Sequence, residues 1–232
     1  KMSAQADCFV GCGFTPPSVS KMHFQTKNLP PNAAYKLLSG SVVPRPIALV
    51  TSHNEEGTVN AAPFSFFNVL GSDPPIVALG IGNRDAHTPK DSARNIAARG
   101  EFVVNLVARE MADAMNLCAT DFPPEISEIE IAGLQTAPSQ LVGMPRIENS
   151  PVSLECVLNQ ILHIGNNRLV LGEVVAFHFA PDLVDETTFR VRTERLNLVG
   201  RMGGAGGYVE TSATFEMPRV SYEEWLKKER KI

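Results

Sequence analysis

Residues 152–179, VSLECVLNQILHIGNNRLVLGEVVAFHF, decide the fold of this chain. Val152, Leu154, Cys156 and Leu158 recur at every second position, and Leu169, Leu171, Val175, Phe177 and Phe179 do so on the return. A period of two marks strands that turn one face to a core. Between the runs, Gly165-Asn166-Asn167 supplies residues that tolerate the positive φ of a tight hairpin turn. Two long antiparallel strands therefore form one hairpin.

Outward from this hairpin, more strands than helices appear. Residues 47–52 read as a buried strand, with Glu55-Glu56-Gly57 turning into a second strand near Val59. Residues 75–81 and 101–107 are further β runs. Pro30-Pro31-Asn32 opens a short helix, with Leu37 and Leu38 inward and Gly40 as its stop. Thr88-Pro89-Lys90-Asp91 opens another, with Thr88 as N-cap and Asp91 completing a capping box, and Gly100 ends it. Met111, Ala114, Met115 and Cys118 give a third helix at i, i+3, i+4, i+7 spacing, stopped by Pro123-Pro124. Ser221-Tyr222-Glu223-Glu224 caps a C-terminal helix, whose Trp225 and Leu226 dock on the body or on a partner subunit. This order predicts a mainly β fold with α: an antiparallel barrel, closed or partly closed, with helices at its ends. Parallel βαβ order is not supported.

Bulk properties exclude several functional classes. The 232 residues are 44% hydrophobic and 20% charged, an ordinary globular balance. The 21 basic and 25 acidic residues are interspersed, so no basic stripe marks a nucleic-acid partner. No apolar run is long enough to span a bilayer, and residues 8–14 are too short and glycine-rich for a secretory signal. Cys8, Cys12, Cys118 and Cys156 lack a spacing that completes a metal site, as do the five histidines; reduced thiols in a cytoplasmic protein are expected. Walker, nucleophile-elbow and dinucleotide fingerprints are absent, since Asp85 stands at the third glycine position after Gly80-Ile81-Gly82.

The helix opening at Pro89 has unpaired N–H groups and a partial positive charge, joined by Lys90, Ser92 and, from the preceding loop, Arg84. Such a group either binds a phosphate or is a capped surface helix with solvated side chains. Asp91 is better read as the cap than as a catalytic acid, and His87 lies close by. In residues 61–68, small residues precede Phe64, Ser65, Phe66 and Phe67. Pro63 removes a donor, so the chain is expected to peel from the sheet there. Alternation places at least one of the phenylalanines in the core. Arg45, between Pro44 and Pro46, sits in a stiff extended context. Residues 203–207 either approach a ligand closely or form a loop.

Four segments carry a resemblance: Arg45-Pro46-Ile47-Ala48-Leu49-Val50-Thr51, Asn60-Ala61-Ala62-Pro63-Phe64-Ser65-Phe66-Phe67-Asn68, Lys90-Asp91-Ser92-Ala93-Arg94-Asn95-Ile96 and Gly200-Arg201-Met202-Gly203-Gly204. In this order and spacing the chain resembles the flavin reductase-like family, the FMN-binding split barrels that include flavoredoxins and nitrilotriacetate monooxygenase reductase components. The likeness covers roughly residues 24–219. It implies a split β-barrel with Greek-key antiparallel strands and flanking helices over residues 22–232, with residues 1–21 a mobile extension. It also implies FMN as cofactor, with NADH or NADPH as transient donor of a hydride from nicotinamide C4 to flavin N5. Asn60, Ala61, Pro63, Ser65, Phe66 and Phe67 would then lie along the isoalloxazine. Lys90, Asp91 and Ser92, with Arg84, would lie at the phosphate, and Arg45 and Arg201 near the pyrimidine end. Catalysis would be by position and electrostatics, with no acid–base residue and no metal. A homodimer with the flavin cleft near its interface is implied, serving a monooxygenase or another electron-transfer partner, without nucleic acid or membrane. Two departures are Ser92, where the family usually has Thr, and the glycine-rich run after Arg201. Alternatives to a flavin reductase are a flavoredoxin-like carrier that retains FMN and a flavin-binding barrel without catalysis.

Overall fold

A computed structural model describes residues 21–229, apart from Ala86, Pro124 and Glu125. The extension expected over residues 1–21 falls outside the described residues except for Lys21, as do Cys8 and Cys12. The strands are β1 (Arg45–Pro46), β2 (Ala48–His53), β3 (Val59–Phe64), β4 (Phe67–Ser72), β5 (Pro75–Gly82) and β6 (Glu101–Leu106). They continue with β7 (Thr136–Ala137), β8 (Arg146–Ile147), β9 (Val152–Ile164), β10 (Asn167–Phe179), β11 (Val199–Arg201) and β12 (Tyr208–Glu210). The helices are α1 (Ala33–Ser41), α2 (Asp91–Arg99), α3 (Ala112–Leu117), α4 (Glu128–Ile131) and α5 (Tyr222–Glu229).

The expected hairpin, β9–β10, is the spine of the molecule. Its turn is the pair Gly165-Asn166, and Gly165 alone takes a positive φ, +57°, as the first residue of a II′-type turn requires. Two register shifts, at Asn159 and Val175, change which side chains face inward. On β10 the core therefore receives Val170 and Val174, whereas Val175 and Phe177 are exposed and Leu169 and Leu171 only half-buried. The inward alternation expected for the hairpin holds on β9; of the positions expected inward on β10, Phe179 packs against the core and the others do not. Gly172 leaves room for the buried Phe102 ring of β6, whose Cζ would lie 2.3 Å from an added Cβ.

Seven strands form one antiparallel sheet in the order β3-β2-β6-β9-β10-β5-β4. Laid flat, its edge strands would lie about 29 Å apart at the usual strand spacing. Yet β3 ends at Phe64 and β4 begins at Phe67, and three Cα steps cover at most about 11 Å. The sheet must roll until the end of β3 comes near the start of β4, giving an open cylinder with a seam. No ladder joins β3 to β4 among the described residues. The chemistry of β3 explains why. Of its outward-facing backbone groups, Ala61 N–H donates to Glu128, Pro63 has no N–H, and Val59 C=O accepts from the Ser127 hydroxyl. Pro63 stays in register with Leu49, so the chain leaves the sheet at Ser65, two residues later than expected.

Inside the cylinder, Val50, Phe64, Phe67, Leu79, Phe102 and Leu154 make the core, and Ala93 and Ile96 of α2 plug one end. The other face of β2 buries Leu49 against Met111, Met115 and Cys118, the expected helical face of the α3 segment. β1, β11 and β12 form a small separate sheet. The segment from β7 to β8 is strapped to the barrel by Glu155, a fully buried carboxylate that accepts N–H groups of Gln140, Leu141 and Val142 at 2.6–3.1 Å and contacts His178 Nε2. The expectation of inward Leu37 and Leu38 is not met: both are exposed on α1, beside exposed Tyr35 and Val42. The Ser221–Glu224 capping box of α5 forms as expected. Trp225 stacks on Tyr222 of the same helix at 5.9 Å rather than being enclosed by the body.

Candidate functional site

A cleft opens where the first turn of α2 meets the outward edge of β3. Asn60, Pro63, Arg84, Lys90, Asp91 and Ser92 line it, together with Thr120, Asp121, Phe122 and Glu128. The expected capping box at this helix does not form. The helix begins at Asp91 with no side-chain cap, Pro89 makes a β-bridge with Asn83, and the Thr88 N–H donates to Asp85. The Asp91 carboxylate is instead clamped between Arg84 at 2.7 Å and Arg94 at 2.5 Å. The amides of Asp91 and Ser92 accordingly have no acceptor among the described residues. An uncapped first turn is a better anion site than a capped one, because its donors and dipole stay available.

The side chains reinforce this. Lys90 has no ion-pair partner among the described residues. Ser92 is buried, and its Oγ accepts a hydrogen bond from Asn60 Nδ2 at 3.1 Å, leaving the hydroxyl proton free to point elsewhere. Amides, an ammonium, a guanidinium and a hydroxyl are the donor set that suits a phosphate monoester. The acids in the cleft oppose one. Asp91 is neutralised by its two arginines, but Glu128 is not. Burial, the largest influence, together with Asp91, pushes the Glu128 carboxyl above the usual carboxylate range, against the Ala61 N–H and Arg84. The Cys118 thiol at the cleft wall is pushed up to about 12 by burial and by Glu128, which disfavours the reactive thiolate. His87 is exposed and outside the lining.

The remaining residues singled out from the sequence lie elsewhere. Phe64 and Phe67 are core side chains, so only the backbone of Phe67 is left to meet a ligand. Phe66 is exposed at the seam, with its ring 6.2 Å from Tyr35 and 6.0 Å from the Arg45 guanidinium. Ala61 has committed its N–H to Glu128. Arg45 is buried and already satisfied: it donates to the carbonyls of Ser39, Val42 and Met202 and to Ser65 Oγ, tying β1 to α1. Arg201 folds over Tyr208 at 4.6 Å and donates to the carbonyls of Gly204, Ala205 and Gly207. Gly203 packs on the backbone of Gly40, so part of the glycine-rich run serves contact within the chain. The structure thus gathers Asn60, Pro63, Arg84, Lys90, Asp91 and Ser92 in one cleft and sets Arg45, Phe66 and Arg201 apart around α1 and β11. Glu128 and residues 120–122 were not singled out from the sequence. No local pattern marks them, because only the tertiary path brings them to β3.

A cylinder slit between β3 and β4, with a donor-lined cleft beside β3, fits the flavin reductase-like class. The flavin reductase like domain matches residues 39–195, and the chain belongs to that family. It is 46% identical to an uncharacterized protein of Deinococcus radiodurans, over 89% of this chain and 93% of that one. Nitrilotriacetate monooxygenase component B from Bacillus cereus superposes with a TM-score of 0.82 at 33% identity, over 86% and 100% of the two chains. The 2-nitrobenzoate 2-nitroreductase NbaA of Pseudomonas fluorescens superposes with 0.79 at 40% identity, over 87% and 98%. The protein is therefore an enzyme of flavin redox chemistry. Among the described residues no helix is long and apolar enough to cross a membrane, and no group of acids, cysteines and histidines could hold a metal.

Proposed function

We propose that the protein is a cytoplasmic NAD(P)H-dependent flavin reductase that binds FMN, with the phosphate in the cleft at the start of α2. The observation that carries this reading is the unpaired Lys90 beside the free amides of Asp91 and Ser92. Asn60, Arg84 and Ser92 would complete the phosphate's partners. The isoalloxazine would extend along the seam past the backbone of Ala61, Pro63, Ser65 and Phe67 towards Phe66. Arg45 and Arg201 would act there through the loops they hold, since their guanidinium donors are engaged by carbonyls. Bound FMN supplies the two-electron chemistry, and the protein supplies position and charge.

The exposed apolar side chains of α1 and the exposed Phe215 and Met217 before α5 support a homodimer. Component B as a relative supports a monooxygenase as the recipient of reduced flavin. A second reading, in which FMN stays bound and reduces an aromatic substrate or a protein partner, is favoured by the likeness to NbaA. Visible absorbance of the purified protein with FMN, before and after NADH or NADPH, tests flavin binding and its reduction. Steady-state NAD(P)H oxidation with excess free FMN separates the readings. Turnover no faster than a flavin-only control overturns the reductase reading.

A further inference from the structure

The cleft that Lys90 lines also holds a carboxyl whose position the flavin reading does not explain. Glu128 lines the cleft from α4, half-buried, with Oε2 accepting the Ala61 N–H at 3.0 Å. The charged and titratable groups around it are Asp91 and Lys90 at the start of α2, Arg84 in the loop before it, the Cys118 thiol and exposed Asp121. Arg84 and Arg94 pair directly with Asp91, and Glu128 makes no ion pair of its own among the described residues, with Arg84 acting on it only from a distance. An ionised carboxylate beside a phosphate is repulsive, and at short range in a partly desolvated cleft that repulsion is large. A protonated carboxyl in the same place is a donor.

We propose, resting on the flavin reading above, that Glu128 tunes affinity for the phosphate end of the flavin through its own proton. Neutral, the carboxyl donates alongside Lys90, Ser92 and Asn60; ionised, it opposes the phosphate. Oε2 remains the acceptor of the Ala61 N–H, so Oε1 is the atom that carries the proton. Proton and phosphate then bind together, and by linkage the flavin is held more tightly as pH falls. Burial and Asp91, which already favour the neutral form, bring the switch closer to neutral pH.

The test is the affinity of the flavin-free full chain for FMN and for riboflavin, which lacks the phosphate, in wild type, Glu128→Gln and Lys90→Ala. Gln keeps an acceptor for Ala61, and thermal melting of the free protein checks that the fold is intact. Titrations run from about pH 5.5 to about pH 8.5, a range in which the second ionisation of the free phosphate is common to both proteins. Expected is FMN binding about tenfold tighter in Glu128→Gln at the alkaline end, the scale of one like charge removed. The gap should close towards the acid end, with no difference for riboflavin at any pH. Parallel FMN curves for wild type and Glu128→Gln, with Lys90→Ala still weakening FMN relative to riboflavin, overturn the role of Glu128 and leave the flavin reading standing. An unchanged FMN-to-riboflavin ratio in Lys90→Ala overturns the flavin reading, and the proposal with it.

Discussion

Individual residues carry the sharpest expectations. Lys90→Ala should weaken FMN binding by about 1.5–3 kcal/mol, the scale of a charge-assisted contact, measured by titration calorimetry; unchanged affinity would leave the helix end as plain surface. Gly172 is a packing position: an added Cβ would meet Phe102, a fully buried ring that has nowhere to go. Gly172→Ala should cost about 1–3 kcal/mol of stability through overpacking, read as a lowered Tm. The second change Phe102→Leu should recover part of it, and no loss in the single variant would contradict the packing account. Lys90, Ser92 and Arg84 were legible from the sequence because a helix start and its neighbours are local. Glu128 was not, because the α4–β3 contact exists only in three dimensions. Arg45 was legible as an important arginine but not for its role, since it closes on the carbonyls at the end of α1 only through the fold of the intervening turn and on Met202 from far away in sequence.

At the scale of elements, the strap between β7 and β8 hangs on Glu155. Burial, the largest single influence, raises its carboxyl, but three backbone N–H groups and His178 together outweigh burial and hold it below its usual value. A depressed folded-state pKa contributes stability that is present above the unfolded value and lost as pH falls through the folded one. Acid unfolding monitored by circular dichroism should therefore steepen below the usual carboxylate range of about 4. Glu155→Gln should flatten that acid limb while lowering stability at neutral pH by about 1–3 kcal/mol for each buried donor left without an acceptor. An unaltered acid limb would place the proton uptake elsewhere. The same strap was invisible in the sequence, because a buried glutamate in an alternating strand looks like an outward-facing one. β9 and β10 were readable from their period of two, but the bulge at Val175 reverses the face and leaves no local mark. β4 escaped notice because most of its residues are exposed and no alternation survives.

For the whole molecule, the proposed homodimer is checked by light scattering after gel filtration, where the wild type should run as two 25.2 kDa chains. Leu38→Glu, a charge placed on the exposed apolar side of α1, should shift the mass towards a single chain; an unchanged dimer would move the interface elsewhere. The seam between β3 and β4 bears on how such a dimer can be built. A sheet that stops short of closing normally leaves two strand edges as templates for cross-β growth. Here one edge has its amide taken by Glu128 and its next donor deleted by Pro63, and the other is bent by a bulge at Leu70. The slit can thus stay open to a ligand without recruiting a strand from a second molecule. Partners must be joined through side chains, and the opening that a cofactor needs is kept from becoming a nucleus for amyloid.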